Sequence, residues 1–271
     1  MFTESETIQR LCNLPRLNPN VTRLLTLSVT SDATLEAFDE LFSSDPSLAA
    51  ELLRVSNSAE FGQMSRVISI SRALLLLGEE RVRKLSVTIA MSQYTRHCAP
   101  RAELHALWSH SLASGVLAEE IGRTHGFPPE YLYTAGLTHD LGRAGLLLIG
   151  QRHYLKVLSA AYADMSEAHR LEKALLGVTH CDAGLYLAQT WLFPESLRAP
   201  IAHHHDALTP ESDELVRIVQ SACFIACELG YPEIPNCPAR APEAMLAAEL
   251  GLWPEKAESL RAAVQERLPL F

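Results

Sequence analysis

Apolar residues along this chain recur three and four positions apart rather than two. No run of strict alternation stands out, and no Asn-Gly or Asp-Gly hairpin turn occurs. The spacing predicts helices almost throughout and an all-α fold. Ser31 or Asp32 is placed to cap TLEAFDELF, and Asp45-Pro46 opens PSLAAELLRVSNSA. Proline in a first turn removes only a donor that the helix does not use. Within that segment Leu48, Leu52 and Val55 form a core-facing stripe. Ile70 to Met91 holds two segments: SRALLLL, which ends at Gly78, and a second with Val82, Leu85 and Ile89 on one face. CAPRAE (98–103) then marks a joint between subdomains.

The second part of the chain continues in the same period. One helix runs from about Leu104 to His125 and another, EYLYTAGLTHDLGRAGLLLIG, over about 130–150. An alanine-containing helix (about 152–163) follows, and segments begin near Ser166 and Thr179. After Pro194 comes a short helix over 195–205, then Asp213 to Leu229 with Leu215, Ile218, Val219, Ala222 and Ala226 on its apolar face. YPEIPNCPARAP (231–242) reads as a loop, and EAMLAAEL and PEKAESLRAAVQERL close the chain as helices.

Composition narrows the function classes. At 271 residues and 48% apolar content the chain has ample material for a core. Its net charge of −9 weighs against nucleic acid as a partner, because binding phosphates needs clustered Lys and Arg. Arg81, Arg83 and Lys84 form a local basic group that reads more readily as a solvated helix face. No stretch has the roughly 18 apolar residues of a membrane span, and MFTESETIQR is no secretory signal. Six cysteines without a CxxC pair read as free thiols, which makes the expected compartment the cytoplasm. Cys223 and Cys227, four apart, serve either as packing or as metal ligands.

The compositional oddity is 11 histidines, all between His97 and His205. Their helical phase separates them. His110 shares a face with Ala113, Ser114, Leu117 and Ile121, and His180 with Ala183, Gly184, Leu187 and Trp191. His139 follows Gly136 by three with Asp140 beside it; His204 continues Leu197 and Ile201, with His205 as neighbour. His203 is out of phase, and His97, His105, His125, His153 and His169 read as surface or linker residues. A lone inward histidine is as a rule a satisfied core residue. Several on apolar faces of separate helices suit instead a divalent Zn, Mn, Fe or Ni ion held in a bundle core.

The dipeptide His139-Asp140, with His110 before it and His204-His205 after it, resembles the HD superfamily of metal-dependent phosphohydrolases. The longer blocks LPRLNPNVTRLLTL, SSDPSLAAELLRVSNSAEFG, the run over 69–85, AGLTHDLGR, GVTHCDAGLYLAQTWLFP and IAHHHD are similar to the HDOD family of bacterial signalling proteins. That resemblance covers about residues 10–265 and implies a two-lobed fold: an N-terminal helical lobe (1–100) packed on an HD-like lobe (101–271). It implies metal ligands at His110, His139, Asp140 and one of His204 and His205, with His180 an additional position. The late aspartate of HD hydrolases falls in IVQSAC, where Cys223 stands, and no GYP triplet follows the histidine run. A thiolate there can bind zinc but does not reproduce an oxygen-rich hydrolytic site. The expected function is therefore a non-catalytic regulatory module with a protein partner. The alternatives are a metal-dependent phosphohydrolase or cyclic-dinucleotide phosphodiesterase, and a module that binds a nucleotide without turnover. The Asn57-Ser58-Ala59 turn reads either as a helix cap or as a ligand contact.

Overall fold

The computed structural model describes residues 2–14, 19–29, 34–57, 66–96, 102–123, 125–160, 165–207, 209, 211–233 and 256–267. Among these, every regular element is a helix, as the periodicity predicts. None is long and apolar enough to cross a membrane. The N-terminal elements are α1 (Glu4–Cys12), α2 (Pro19–Val29), α3 (Leu35–Ser44), α4 (Pro46–Ser56), α5 (Ile70–Leu77) and α6 (Glu79–Arg96). Then follow α7 (Ala102–Gly122), α8 (Pro129–Thr138), α9 (Leu141–Ala160), α10 (Met165–Leu176), α11 (His180–Thr190), α12 (Glu195–His203), α13 (Glu214–Glu228) and α14 (Ala257–Arg267).

Two hydrophobic cores organise these helices. The smaller gathers Leu24, Phe38, Phe42, Leu48, Leu52, Leu74, Val82 and Leu85 from α2 to α6. The larger lies among α7 to α13, and Leu11 of α1 and Val264 of α14 join it. Helix α6 serves both: Val82, Leu85 and Ile89 face the smaller core, and Val87, Ala90, Met91 and Tyr94 face the larger. The caps explain the boundaries. Asp45 accepts from the backbone of Ser47 and Leu48 with Pro46 in the first turn, as its sequence predicts. Gly78 ends α5 at φ 74°, a backbone that favours glycine.

Several expectations are corrected. The cap of α3 is Thr34, which accepts from Ala37 N–H, rather than Ser31 or Asp32. Helix α7 ends at Gly122 instead of His125. The basic group is a solvated face only in part: Arg81 is exposed, but Arg83 is buried, donating to Glu79 and the Leu27 carbonyl, and Lys84 donates to Glu80 and Glu119. Both cations are thereby spoken for inside the protein. Asn57 acts as a cap, its amide donating to Leu53 O and Val67 O while its carbonyl accepts from Val67 N–H. Most of CAPRAE, the loop beyond residue 233, EAMLAAEL, Ser58 and Ala59 lie outside the described residues.

The correction that matters most concerns residues 130–150. They are not one helix: α8 stops at Thr138, His139 and Asp140 form a turn, and α9 starts at Leu141. Helix α9 then continues past a kink at Gly150 (φ −133°, ψ 28°) into the segment expected as a separate helix. Beyond the turn, α9 crosses α11 with the Gly142 backbone against that of α11. A Cβ on Gly142 would lie 1.8 Å from the His180 carbonyl oxygen and 2.5 Å from the Gly184 nitrogen. The glycine after His139-Asp140-Leu141 is thus what brings Asp140 and His180 together.

Candidate metal centre

Six helices, one turn and the segment after α13 contribute side chains to one buried polar cluster. Helix α7 supplies His110, the α8–α9 turn His139 and Asp140, and α9 Arg143 and Tyr154. Helix α10 brings Glu172, α11 His180, and the end of α12 His204 and His205. Helix α13 carries Cys223, and the segment after it carries Glu233. His110, His139, Asp140, His180 and His204 are each at most 1% exposed. Phase placed these histidines inward, and the structure sets them around a single carboxylate.

The hydrogen bonds determine where the imidazole lone pairs point. His110 Nδ1 lies 2.7 Å from Tyr231 O, His139 Nδ1 2.6 Å from Gly136 O, and His204 Nδ1 2.9 Å from Pro200 O. A carbonyl oxygen only accepts, so each Nδ1 carries the proton and each neutral ring turns an Nε2 lone pair inward. His180 Nδ1 is held in the same way by Glu172 Oε2 at 2.9 Å. This is the arrangement that orients histidine toward a metal. His110 Nε2 and His139 Nε2 stand 3.3 Å apart. Two nitrogens on one tetrahedral zinc ion, with bonds of about 2.05 Å, also sit about 3.3 Å apart. His204 Nε2 has no hydrogen-bond partner and lies 3.3 Å from Asp140 Oδ1.

Asp140 belongs to two donor sets, one with His180, His204 and His205 and one with His110 and Glu233. A further set beside them is His110, His139 and Cys223, whose sulfur is 3.6 Å from His110 Nε2. Asp140 Oδ2 lies 3.8 Å from His139 Nε2, and Oδ1 lies 3.6 Å from His180 Nε2. Cys227, the other half of the i, i+4 pair, is in none of these groups.

Charge reinforces the same reading. Arg143 Nε donates to both Asp140 oxygens at 3.0 Å, Nη1 lies 3.6 Å from Glu172 Oε1, and Nη2 3.3 Å from Glu233 Oε2. Three buried carboxylates therefore face one guanidinium, which leaves up to two negative charges for a divalent cation to match. Burial would raise the Asp140 carboxyl, but the Arg143 guanidinium beside it outweighs this and holds it well below the usual range. Burial raises Glu172, against the pull of Arg143. Burial also keeps His139 neutral, with His204 and His110 adding to the effect despite Asp140.

Phase reasoning placed the remaining histidines unevenly. His203 is exposed and pairs with Asp206, and His105 and His125 are exposed as expected. The His97 and His153 side chains lie outside the described residues. His169 departs from expectation: it is half-buried, and its ring packs on those of His180 and His205. Burial and the neighbouring His180 lower it to about 4. Sequence reasoning also passed over Arg143, Tyr154, Glu172 and Glu233. Glu172 was within reach, since it lies in phase with buried Ala168 and Leu176 on α10. Glu233 sits beyond any helical period.

A model of the HDOD domain family matches residues 14–207. An HDOD domain protein of unknown function from Geobacter sulfurreducens shares the fold with a TM-score of 0.74 and 22% identity, covering 98% of this chain and 99% of that one. A phosphohydrolase candidate from Shewanella amazonensis SB2B superposes with a TM-score of 0.65 and 23% identity, covering 95% and 97%. An uncharacterized protein of Treponema pallidum (strain Nichols) is 24% identical over 236 residues. That match takes in 84% of this chain but 45% of the relative, so the chain spans less than half of the relative's length.

Proposed function

Because the chain belongs to the HDOD family, we propose that it is a regulatory module of bacterial signalling that acts by protein contact and turns over no substrate. The observation that carries this reading is enclosure. His110, His139, Asp140, His180 and His204 are all closed off from solvent, so a phosphoester has no surface on which to meet them. Two further features agree. Arg143 occupies both oxygens of Asp140, and a thiol stands at Cys223 where the resemblance to HD hydrolases places an aspartate. The donor set nonetheless fits a Zn, Mn, Fe or Ni ion, which His110, His139, Asp140 and His204 would hold with His180, His205 and Cys223 close by. Such an ion would supply positive charge to a cluster rich in carboxylates and so fasten four helices and a turn together. In this reading the helices' outer faces, not the centre, meet the partner.

The sharing of Asp140 between two donor sets favours a second reading, a metal-dependent HD-type phosphohydrolase. One experiment separates them. Protein loaded with Mn²⁺, Fe²⁺ or Zn²⁺ is incubated with a generic phosphodiester and a panel of cyclic dinucleotides, and products are counted. No turnover is expected. Turnover that His139→Ala abolishes would establish the hydrolase instead, and saturable calorimetric binding without turnover would identify a nucleotide sensor.

A further inference from the structure

His169 and Cys181 take no part in the donor sets around Asp140, yet they bring two more ligand atoms against them. Cys181 follows His180 in the first turn of α11, where Thr179 and Asp182 cap each other's backbone N–H and fix the chain. Its sulfur lies 3.6 Å from His180 Nε2 and 3.9 Å from His169 Nε2. All three donor atoms fall within 4.8 Å of one another. A sulfur and a nitrogen on one tetrahedral zinc ion, with bonds of about 2.3 and 2.05 Å, sit about 3.6 Å apart. His169 is half-buried, whereas the residues behind it are sealed, so it forms the solvent-facing edge of the histidine cluster.

We infer that His169, His180 and Cys181 form a second, softer metal site, through which a thiophilic divalent ion such as zinc enters the buried centre. A thiolate with two imidazoles selects zinc-like ions over the oxygen-seeking magnesium and calcium. Binding releases the Cys181 proton to solvent and leaves sulfur as thiolate. His180 is the shared donor: Glu172 holds its Nδ1, and its Nε2 lies 3.6 Å from both Cys181 Sγ and Asp140 Oδ1. One lone pair serves one ion, so an ion held through His180 is either outside with Cys181 or inside with Asp140. The inference shares with the proposed function the premise that these imidazoles are metal donors, but His169 and Cys181 belong to the outer site alone.

The test uses the full chain, stripped of metal and titrated with Co²⁺. It reads the near-ultraviolet thiolate-to-cobalt charge-transfer band, and elemental analysis counts bound cobalt. The wild type should develop the band. Cys181→Ser and His169→Gln, checked for folding by circular dichroism, should lose most of it. Cys223→Ser should keep it, and His139→Ala should keep it while binding less cobalt. A band that survives both Cys181→Ser and His169→Gln, a band that vanishes with Cys223→Ser, or cobalt bound without a band overturns the outer site. Should His139→Ala leave cobalt content unchanged while Cys181→Ser removes the band, the outer site stands and the inner metal centre does not.

Discussion

Arg143 shows most clearly how a single residue governs this core. Its guanidinium touches Asp140, Glu172 and Glu233 from a fully buried position. Removing one partner of a buried ion pair leaves uncompensated charge and costs about 3–5 kcal/mol. Arg143→Ala should therefore lower stability by roughly that much in urea denaturation, and added Zn²⁺ should restore part of the loss. No recovery on adding metal would count against the cation-binding reading of the cluster. The histidines of this cluster were legible because imidazoles on an apolar stripe stand out in helical phase. Glu172 obeys the same phase and is buried, but glutamate is so common on helices that its phase alone does not mark it. His169 misled for the opposite reason: its own helix face is half-exposed, and rings from α11 and α12 cover it. Contacts of that kind, between distant elements, leave no period in a sequence.

Among elements, the crossing of α9 and α11 depends on the absence of a side chain at Gly142. A methyl on Gly142 would meet backbone atoms of His180 and Gly184, which cannot rotate out of the way. Gly142→Ala should destabilise by more than about 4 kcal/mol, seen as insoluble expression or a collapsed urea midpoint; near-wild-type stability would refute the close approach. The start of α11 permits a gentler test. Partial burial would raise the Asp182 carboxyl, but hydrogen bonds from Lys173 and Thr179 outweigh it and hold the group below its ordinary value. The stability Asp182 adds is thus present above a pH of about 4 and lost as pH falls through its lowered value in the fold. Wild type and Asp182→Ala should converge in stability on acidification, whereas a constant gap would show that the charge plays no part. Helix ends with side-chain caps, such as Asp45 before α4, were readable because the cap and the proline are local. The break at His139-Asp140 was not. Leu137 and Leu141 continue the apolar spacing across it with neither glycine nor proline at the turn itself.

For the molecule as a whole, two cores share α6, and a polar cluster sits inside the larger one. A ligand that binds only the folded state stabilises it by about 2.7 kcal/mol at a hundredfold excess over its Kd. In a domain of this size that amounts to a Tm change of roughly 5–10 °C. Chelation of metal-loaded protein should lower Tm by about that much, while His139→Ala should respond to chelator much less than the wild type. Equal melting of loaded and stripped wild type would refute an ion in the core. The all-α class and most helices follow from period alone, whereas the closing of the site from its far side does not. Tyr231 gives its carbonyl to His110 and Glu233 reaches His205, both from the short segment after α13. That segment gives the centre a kinetic property as well as a geometry. With residues 231–233 shut over that side, an ion that enters past His169 leaves by the same path, so its residence time is set by the handover at His180 as well as by the strength of its ligands.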